Sequence, residues 1–179
     1  VRLSSWMNWF QYRLKSKSRL RRRHSAEKLE DRTLLAVAGV RVGNDLSLFV
    51  NEGDDVVVQN DTTSGNVQVL SNGAVVGSTP AIQSSALEAL TIIAGDNDNV
   101  IDLSNLNTTD FSSLTTGSIV VDSGDGHDQI IGSAAFGESV LAGDGNDTLT
   151  GDDGADTLDG GDGDDTITAG AGNDSIIGE

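Results

Sequence analysis

Four nonapeptides run from residue 142 to residue 177 without a gap, and nothing else in the chain restricts its folding options as far. The first reads Ala142-Gly143-Asp144-Gly145-Asn146-Asp147-Thr148-Leu149-Thr150, and the others begin at Gly151, Gly160 and Ala169. Position four is always Gly (145, 154, 163, 172) and position six always Asp (147, 156, 165, 174). Position seven is Thr or Ser, and position eight is Leu or Ile. A short unit with one apolar side chain buries it only against its neighbours, so a fixed period of this kind predicts a stacked array. The Gly-rich hexapeptide predicts a turn, because glycine takes backbone angles that a Cβ forbids. The next three residues predict a short strand with position eight inward and positions seven and nine outward. Two units then complete one circuit of a coil, and units two apart stack at the ~4.8 Å strand spacing. Leu149 is thereby placed over Ile167 on one sheet and Leu158 over Ile176 on the other. A flexible acidic linker would have no reason to keep Leu or Ile at every ninth residue.

Charge sets the problem such a coil must solve. All eleven Lys and Arg of the 179 residues lie within 1–41, and residues 42–179 hold 25 acids and no base. No ion pair with Lys or Arg is possible in that stretch, and self-repulsion on this scale opposes compaction. The acidic body therefore stays open or takes up cations. Asp outnumbers Glu 22 to 6, which suits turns and metal ligation better than helix surfaces. Nucleic acid is excluded as a partner of this body, since phosphate contacts need Lys and Arg. The absence of Cys excludes disulfide scaffolds, thiolate metal sites and cysteine nucleophiles. The longest apolar stretch, residues 34–40, is far short of the ~20 residues that span a membrane.

Ca²⁺ fits the loops chemically, because it takes six to eight hard oxygens from carboxylates and main-chain carbonyls. The candidate carboxylate ligands are Asp128, Asp147, Asp156, Asp162, Asp165 and Asp174. The candidate loop glycines are Gly143, Gly145, Gly151, Gly154, Gly160, Gly161, Gly163, Gly170 and Gly172. An ion between stacked loops would use Asp147 with the 160–165 loop and Asp156 with the 169–174 loop. Asp128 belongs to an outlying copy, residues 123–131, set one residue out of phase with the rest. Two departures stand out: position one is Ala in two copies, and Asp152 replaces the second Gly of another. An EF-hand loop starting at Asp162 is excluded, because Thr166-Ile167 stands where Asp/Asn-Gly is required. The Asn-Asp-Thr and Asn-Asp-Ser triplets are accidents of the repeat, and His127 reads as a turn residue.

The repeat resembles the hemolysin-type (RTX) calcium-binding nonapeptide, Gly-Gly-x-Gly-x-Asp-x-apolar-x, over residues 123–179. The resemblance implies a parallel β-roll that folds on binding Ca²⁺. Upstream, residues 37–121 alternate apolar and polar positions (Val40/Val42, Leu46/Leu48/Val50, Val56/Val58, Val67/Val69) between turn clusters, which predicts strands and hairpins. Gly-Asp steps at 53–54, 95–96 and 124–125 suggest degenerate forms of one repeat. Residues 81–90 read as a short helix or a loop. The expected class is all-β, a β-solenoid continued by a calcium-loaded β-roll, with three regions: 1–36, 37–121 and 122–179.

Residues 1–36 form a basic segment, expected to be disordered or helical, that ends in Leu29-Glu30-Asp31-Arg32-Thr33-Leu34-Leu35. It resembles the N-terminal extracellular-signal family of planctomycete secreted proteins, which implies export. Met7, the sole methionine, reads as the start, and Gly178-Glu179 reads as a further repeat cut short. The expected function is Ca²⁺ binding by a secreted or cell-surface protein that folds after export. Its role would be structural or adhesive, toward cell-surface or matrix components, and not catalytic. No His-Glu-x-x-His or Gly-x-Ser-x-Gly motif occurs. The alternative is an accessory part of a secreted RTX-type protease or lipase whose catalytic domain lies elsewhere.

Overall fold

The computed structural model describes residues 37–50, 53–76 and 81–178; the signal-like segment 1–36 lies outside them. The chain passes back and forth between two seven-stranded sheets. The first holds β1 (Val37–Val42), β2 (Asp45–Val50), β6 (Ala89–Ile93), β8 (Ile119–Asp122), β10 (Glu138–Leu141), β12 (Thr157–Asp159) and β14 (Ser175–Ile177), in that order. The second holds β3 (Asp55–Asn60), β4 (Val67–Ser71), β5 (Ala74–Val75), β7 (Val100–Asp102), β9 (Gln129–Ile131), β11 (Thr148–Thr150) and β13 (Thr166–Thr168). Its order is β13-β11-β9-β7-β3-β4-β5. Pairing is parallel except at the N-terminal end, where β1–β2, β3–β4 and β4–β5 are antiparallel. The architecture is a β-solenoid, all-β apart from one 3-10 turn at Ser84–Ala86 among the described residues.

Most of the expected strands are present, and the eighth-position side chains stack as the repeat requires. Leu149 pairs with Ile167 and Leu158 with Ile176. The rows continue upward through Ile130, Ile101 and Val56 on one sheet and through Val140, Val121, Ile92 and Leu48 on the other. Inward burial fails only in the last coil. Ile176 is 56% exposed and Ile167 half-buried; they lie on β14 and β13, the outermost strands of their sheets among the described residues. One turn cluster behaves differently from its reading. The segment between β2 and β3 makes no hairpin, since β2 pairs with β1 and β6 while β3 pairs with β4 and β7. Between β2 and β3 the chain passes from one sheet to the other.

Coils shorten along the chain. Val56 pairs with Ile101, Ile101 with Ile130, Ile130 with Leu149 and Leu149 with Ile167, so the register step falls from 45 to 29, 19 and 18 residues. The extra residues of the longer upper coils bury Ile82, Leu87, Leu103, Leu106, Phe111 and Leu114 in the common core. Among the described residues, twenty apolar side chains are buried over 37–121, against six over 122–178. Each is worth roughly 1.5–3 kcal/mol of transfer free energy, so the apolar stabilisation sits mostly in the upper coils.

Candidate metal centres

The loops at the two edges of the coil stack directly on one another. Gly145 N–H donates to Asp162 O (2.8 Å), and Asp162 N–H donates to Gly143 O (3.0 Å). Gly154 N–H and Ala171 N–H make the matching bonds to Ala171 O and Asp152 O on the other edge (both 2.9 Å). This closeness is what demands glycine at position four. Gly145 and Gly163 have φ of +152° and +146°. A Cβ on either would overlap the carbonyl of the preceding coil, Gly126 or Gly145 respectively. Asp152 keeps the left-handed backbone of the glycine it replaces, at φ +65°, a conformation that Asp tolerates better than most residues.

Position six builds a ladder inside each edge. Asp128 N–H donates to Asp147 Oδ1 (2.7 Å), and Asp147 N–H donates to Asp165 Oδ1 (2.9 Å). On the opposite edge, Asp156 N–H donates to Asp174 Oδ1 (3.1 Å). The structure therefore brings Asp128, Asp147 and Asp165 together along one edge and Asp156 and Asp174 along the other. The carboxylate of Asp162 is exposed and stays outside the ladder; that residue joins its neighbours through its main chain. Gly151 and Gly160, at position one, lie against the Asp156 and Asp165 side chains of their own loops. Gly161 and Gly170, at position two, lie under the Gly143 and Asp152 carbonyls, and Gly172 under that of Gly154.

Glu138, absent from the sequence reading, completes the second ladder. Its N–H donates to Asp156 Oδ1 (2.9 Å), so it occupies position six of a further coil. Three features hid it: Glu in place of Asp, Phe136 near the usual glycine, and one extra residue in the 132–137 loop. That extra residue also explains why the 123–131 copy runs out of phase. The surviving signal was Glu138-Ser139-Val140, the acid-hydroxyl-apolar order of positions six to eight. A position-five ladder, distinct from both position-six ladders, also escaped the sequence reading. His127 N–H donates to Asp98 Oδ1 (2.9 Å), Asn146 N–H to His127 Nδ1 (2.8 Å) and Asp164 N–H to Asn146 Oδ1 (2.9 Å). These position-five bonds run in the opposite sense and employ His127 as a turn residue.

Asp128, Asp147 and Asp156 each spend one carboxylate oxygen on the ladder, whereas Glu138 spends Oε1 on the N–H and Oγ of Ser133 in its own loop. The second oxygen of each is the informative one. Asp128 Oδ2, Asp147 Oδ2, Asp156 Oδ2 and Glu138 Oε2 are buried with no hydrogen-bond partner. Their residues are only 1–2% exposed. Burial pushes the Asp128 and Asp147 carboxyls upward, and the neighbouring charges of Asp147 and Asp165 add to it. Burial first, then Asp156, pushes Glu138 up to about 8. Unpaired buried acceptors are costly, and here they recur at one repeat position. An oxygen-only donor set of carboxylates beside glycine-loop carbonyls suits a hard cation and not a thiophilic one. Among the described residues no group of three or more acidic or His side chains converges on one point. Main-chain carbonyls would therefore supply the remaining ligands around Asp128, Asp147, Asp156 and Glu138. A bound Ca²⁺ would supply the positive charge that the chain lacks there.

Residues 140–178 match the model of the RTX calcium-binding nonapeptide repeat (4 copies). No curated protein and no solved structure matches the chain. The resemblance of residues 1–36 to an export signal lies outside both the match and the described residues.

Proposed function

We propose that residues 122–178 form a calcium-binding β-roll whose folding is coupled to the ion, and that the chain acts structurally after export. The observation that carries this reading is the set of four buried, unpartnered carboxylate oxygens at one repeat position. The match of 140–178 to a calcium-binding repeat supports the choice of ion. With fifteen acids and no base over 122–179, ion binding and folding become one event. Extracellular calcium modules bind at roughly 10⁻⁴ to 10⁻³ M, so the roll would remain open in a low-calcium cytosol and close outside. Its place would be the cell exterior or surface, held there by adhesion or matrix assembly. Within the described residues no helix is long and apolar enough to cross a membrane.

Far-UV circular dichroism of the full chain tests this directly. In EDTA the β signal should be partial; millimolar Ca²⁺ should complete it, and Mg²⁺ should do so poorly because it keeps its waters. Monovalent salt should compact the chain by screening without adding β-structure. Full recovery in EDTA with 0.5 M NaCl (screening length about 4 Å) would overturn the specific sites and leave only a charge effect.

A further inference from the structure

The ladder does not stop at Asp128. Asn99 N–H donates to Asp128 Oδ1 (2.8 Å), so Asn99 occupies position six of the preceding coil, in the loop 94–99. It is 1% exposed. Its Oδ1 accepts from Asp54 N–H (3.4 Å), the same bond that Asp147 Oδ1 makes to Asp128. Its other half differs from every Asp below it. Asn99 Nδ2 donates to Gly95 O (3.1 Å), to Asn97 O and, at 3.5 Å, to Ser123 O. Gly95 and Asn97 stand at positions two and four of that loop, and Ser123 at position one of the next. A carboxylate there would face those carbonyls with a second acceptor and repel them, whereas an amide offers two protons. One coil higher the same device recurs: the buried Asp54 carboxylate is met by Asn72 Nδ2 (2.7 Å).

We propose that the Asn99 amide takes the place of the cation in its coil. The metal array then begins at Asp128, and the coil through β6 and β7 closes without an ion. This rests on the calcium reading of the roll and extends it. It gives the roll a preformed layer, because β9 pairs along β7 with Gln129 on Val100 and Ile131 on Asp102. The first ion-dependent coil therefore adds to an existing sheet edge and need not nucleate one.

The test uses the full chain and three variants, with calcium stoichiometry by equilibrium dialysis and thermal melts in EDTA. Asn99→Asp should bind one more Ca²⁺ than the parent, and Asp128→Asn one fewer. In EDTA the parent should keep a melting β-structure; Asn99→Asp and Asn99→Ala should both lower its Tm. Millimolar Ca²⁺ should restore the Tm of Asn99→Asp but not that of Asn99→Ala. Unchanged stoichiometry in Asn99→Asp, or EDTA melts identical to the parent, would overturn the proposal. So would a parent with no EDTA-stable β-structure. A parent that binds no Ca²⁺ would overturn the calcium reading instead, and the EDTA melts would still judge the amide.

Discussion

Residues 37–121 and residues 122–178 continue the same two sheets, yet they hold their carboxylates in opposite ways. The upper region satisfies them with its own amides and hydroxyls. Asn44 Nδ2 donates to Glu88 (2.9 Å), Asn72 Nδ2 to Asp54 (2.7 Å), Asn107 Nδ2 to Asp110 (2.9 Å) and Ser104 Oγ to Asp102 (2.6 Å). Ser64 Oγ and Thr63 N–H together hold the Asp61 carboxyl below its usual value. The lower region instead buries carboxylate oxygens without partners, and burial drives Asp128, Glu138 and Asp147 upward. Apolar burial follows the same division, with twenty buried side chains above and six below among the described residues. A coil can thus be closed by internal donors over a thick core, or left thin and acidic for a cation to close. The second choice makes folding conditional on the environment.

Core truncation should give the largest effect and should separate the regions by condition. In millimolar Ca²⁺, Ile92→Ala and Leu149→Ala should each cost about 2–5 kcal/mol, read from denaturant melts. In EDTA, Ile92→Ala should keep its cost while Leu149→Ala should change nothing, because its coil is already open. Equal costs in EDTA would break the division. Ile176→Ala, at a side chain 56% exposed, should cost less than about 1 kcal/mol in either condition.

Removal of ladder carboxylates comes next. Asp147→Ala and Asp156→Ala should each raise the Ca²⁺ concentration at the folding midpoint severalfold, followed by circular dichroism. Asp162→Ala, whose carboxylate is exposed, should shift it far less, and Asp61→Ala should not shift it. A response of Asp61→Ala equal to that of Asp156→Ala would show general charge relief in place of specific ligation.

The smallest effect concerns pH, and its sign differs between the regions. Glu138 has a raised value, about 8 against 4.5, so the calcium-free folded roll binds more protons than the unfolded chain. Its stability should be greatest below pH 4.5 and should fall as pH rises toward 8. Asp61 is lowered, so its contribution is present above its ordinary value of 3.8 and is lost on acidification. Titrating EDTA-treated chain from pH 5 to pH 8 should therefore lose β signal from the roll. Glu138→Gln should flatten that loss, and an undiminished loss in the variant would assign it to other groups.

How much of this was legible in the sequence depended on how cleanly each coil kept the period. The 142–177 repeats gave strand phase, stacking partners and ladder aspartates, because one backbone solution satisfies every unit. Glu138 was hidden by one inserted residue and by loss of the position-four glycine. Asn99 was hidden because an amide in place of Asp reads as a decayed repeat until its donors are seen on carbonyls. The Gly-Asp steps misled in one instance. Gly95-Asp96 and Gly124-Asp125 stand at positions two and three, whereas Asp54 lies one step above Asn99 on the position-six ladder. Residues 103–118 keep no period, yet they bury Leu103, Leu106, Phe111 and Leu114, an insertion whose packing only tertiary contact decides.

Hydrogen–deuterium exchange of the full chain, resolved by region and compared between EDTA and millimolar Ca²⁺, tests the division most directly. In EDTA, amides of β2, β3, β6 and β7 should stay protected while those of β10 to β14 exchange freely, and Ca²⁺ should bring protection to β10 to β13. Protection of both regions in EDTA, or loss of both together, would contradict a solenoid whose upper coils close by themselves and whose lower coils close on an ion.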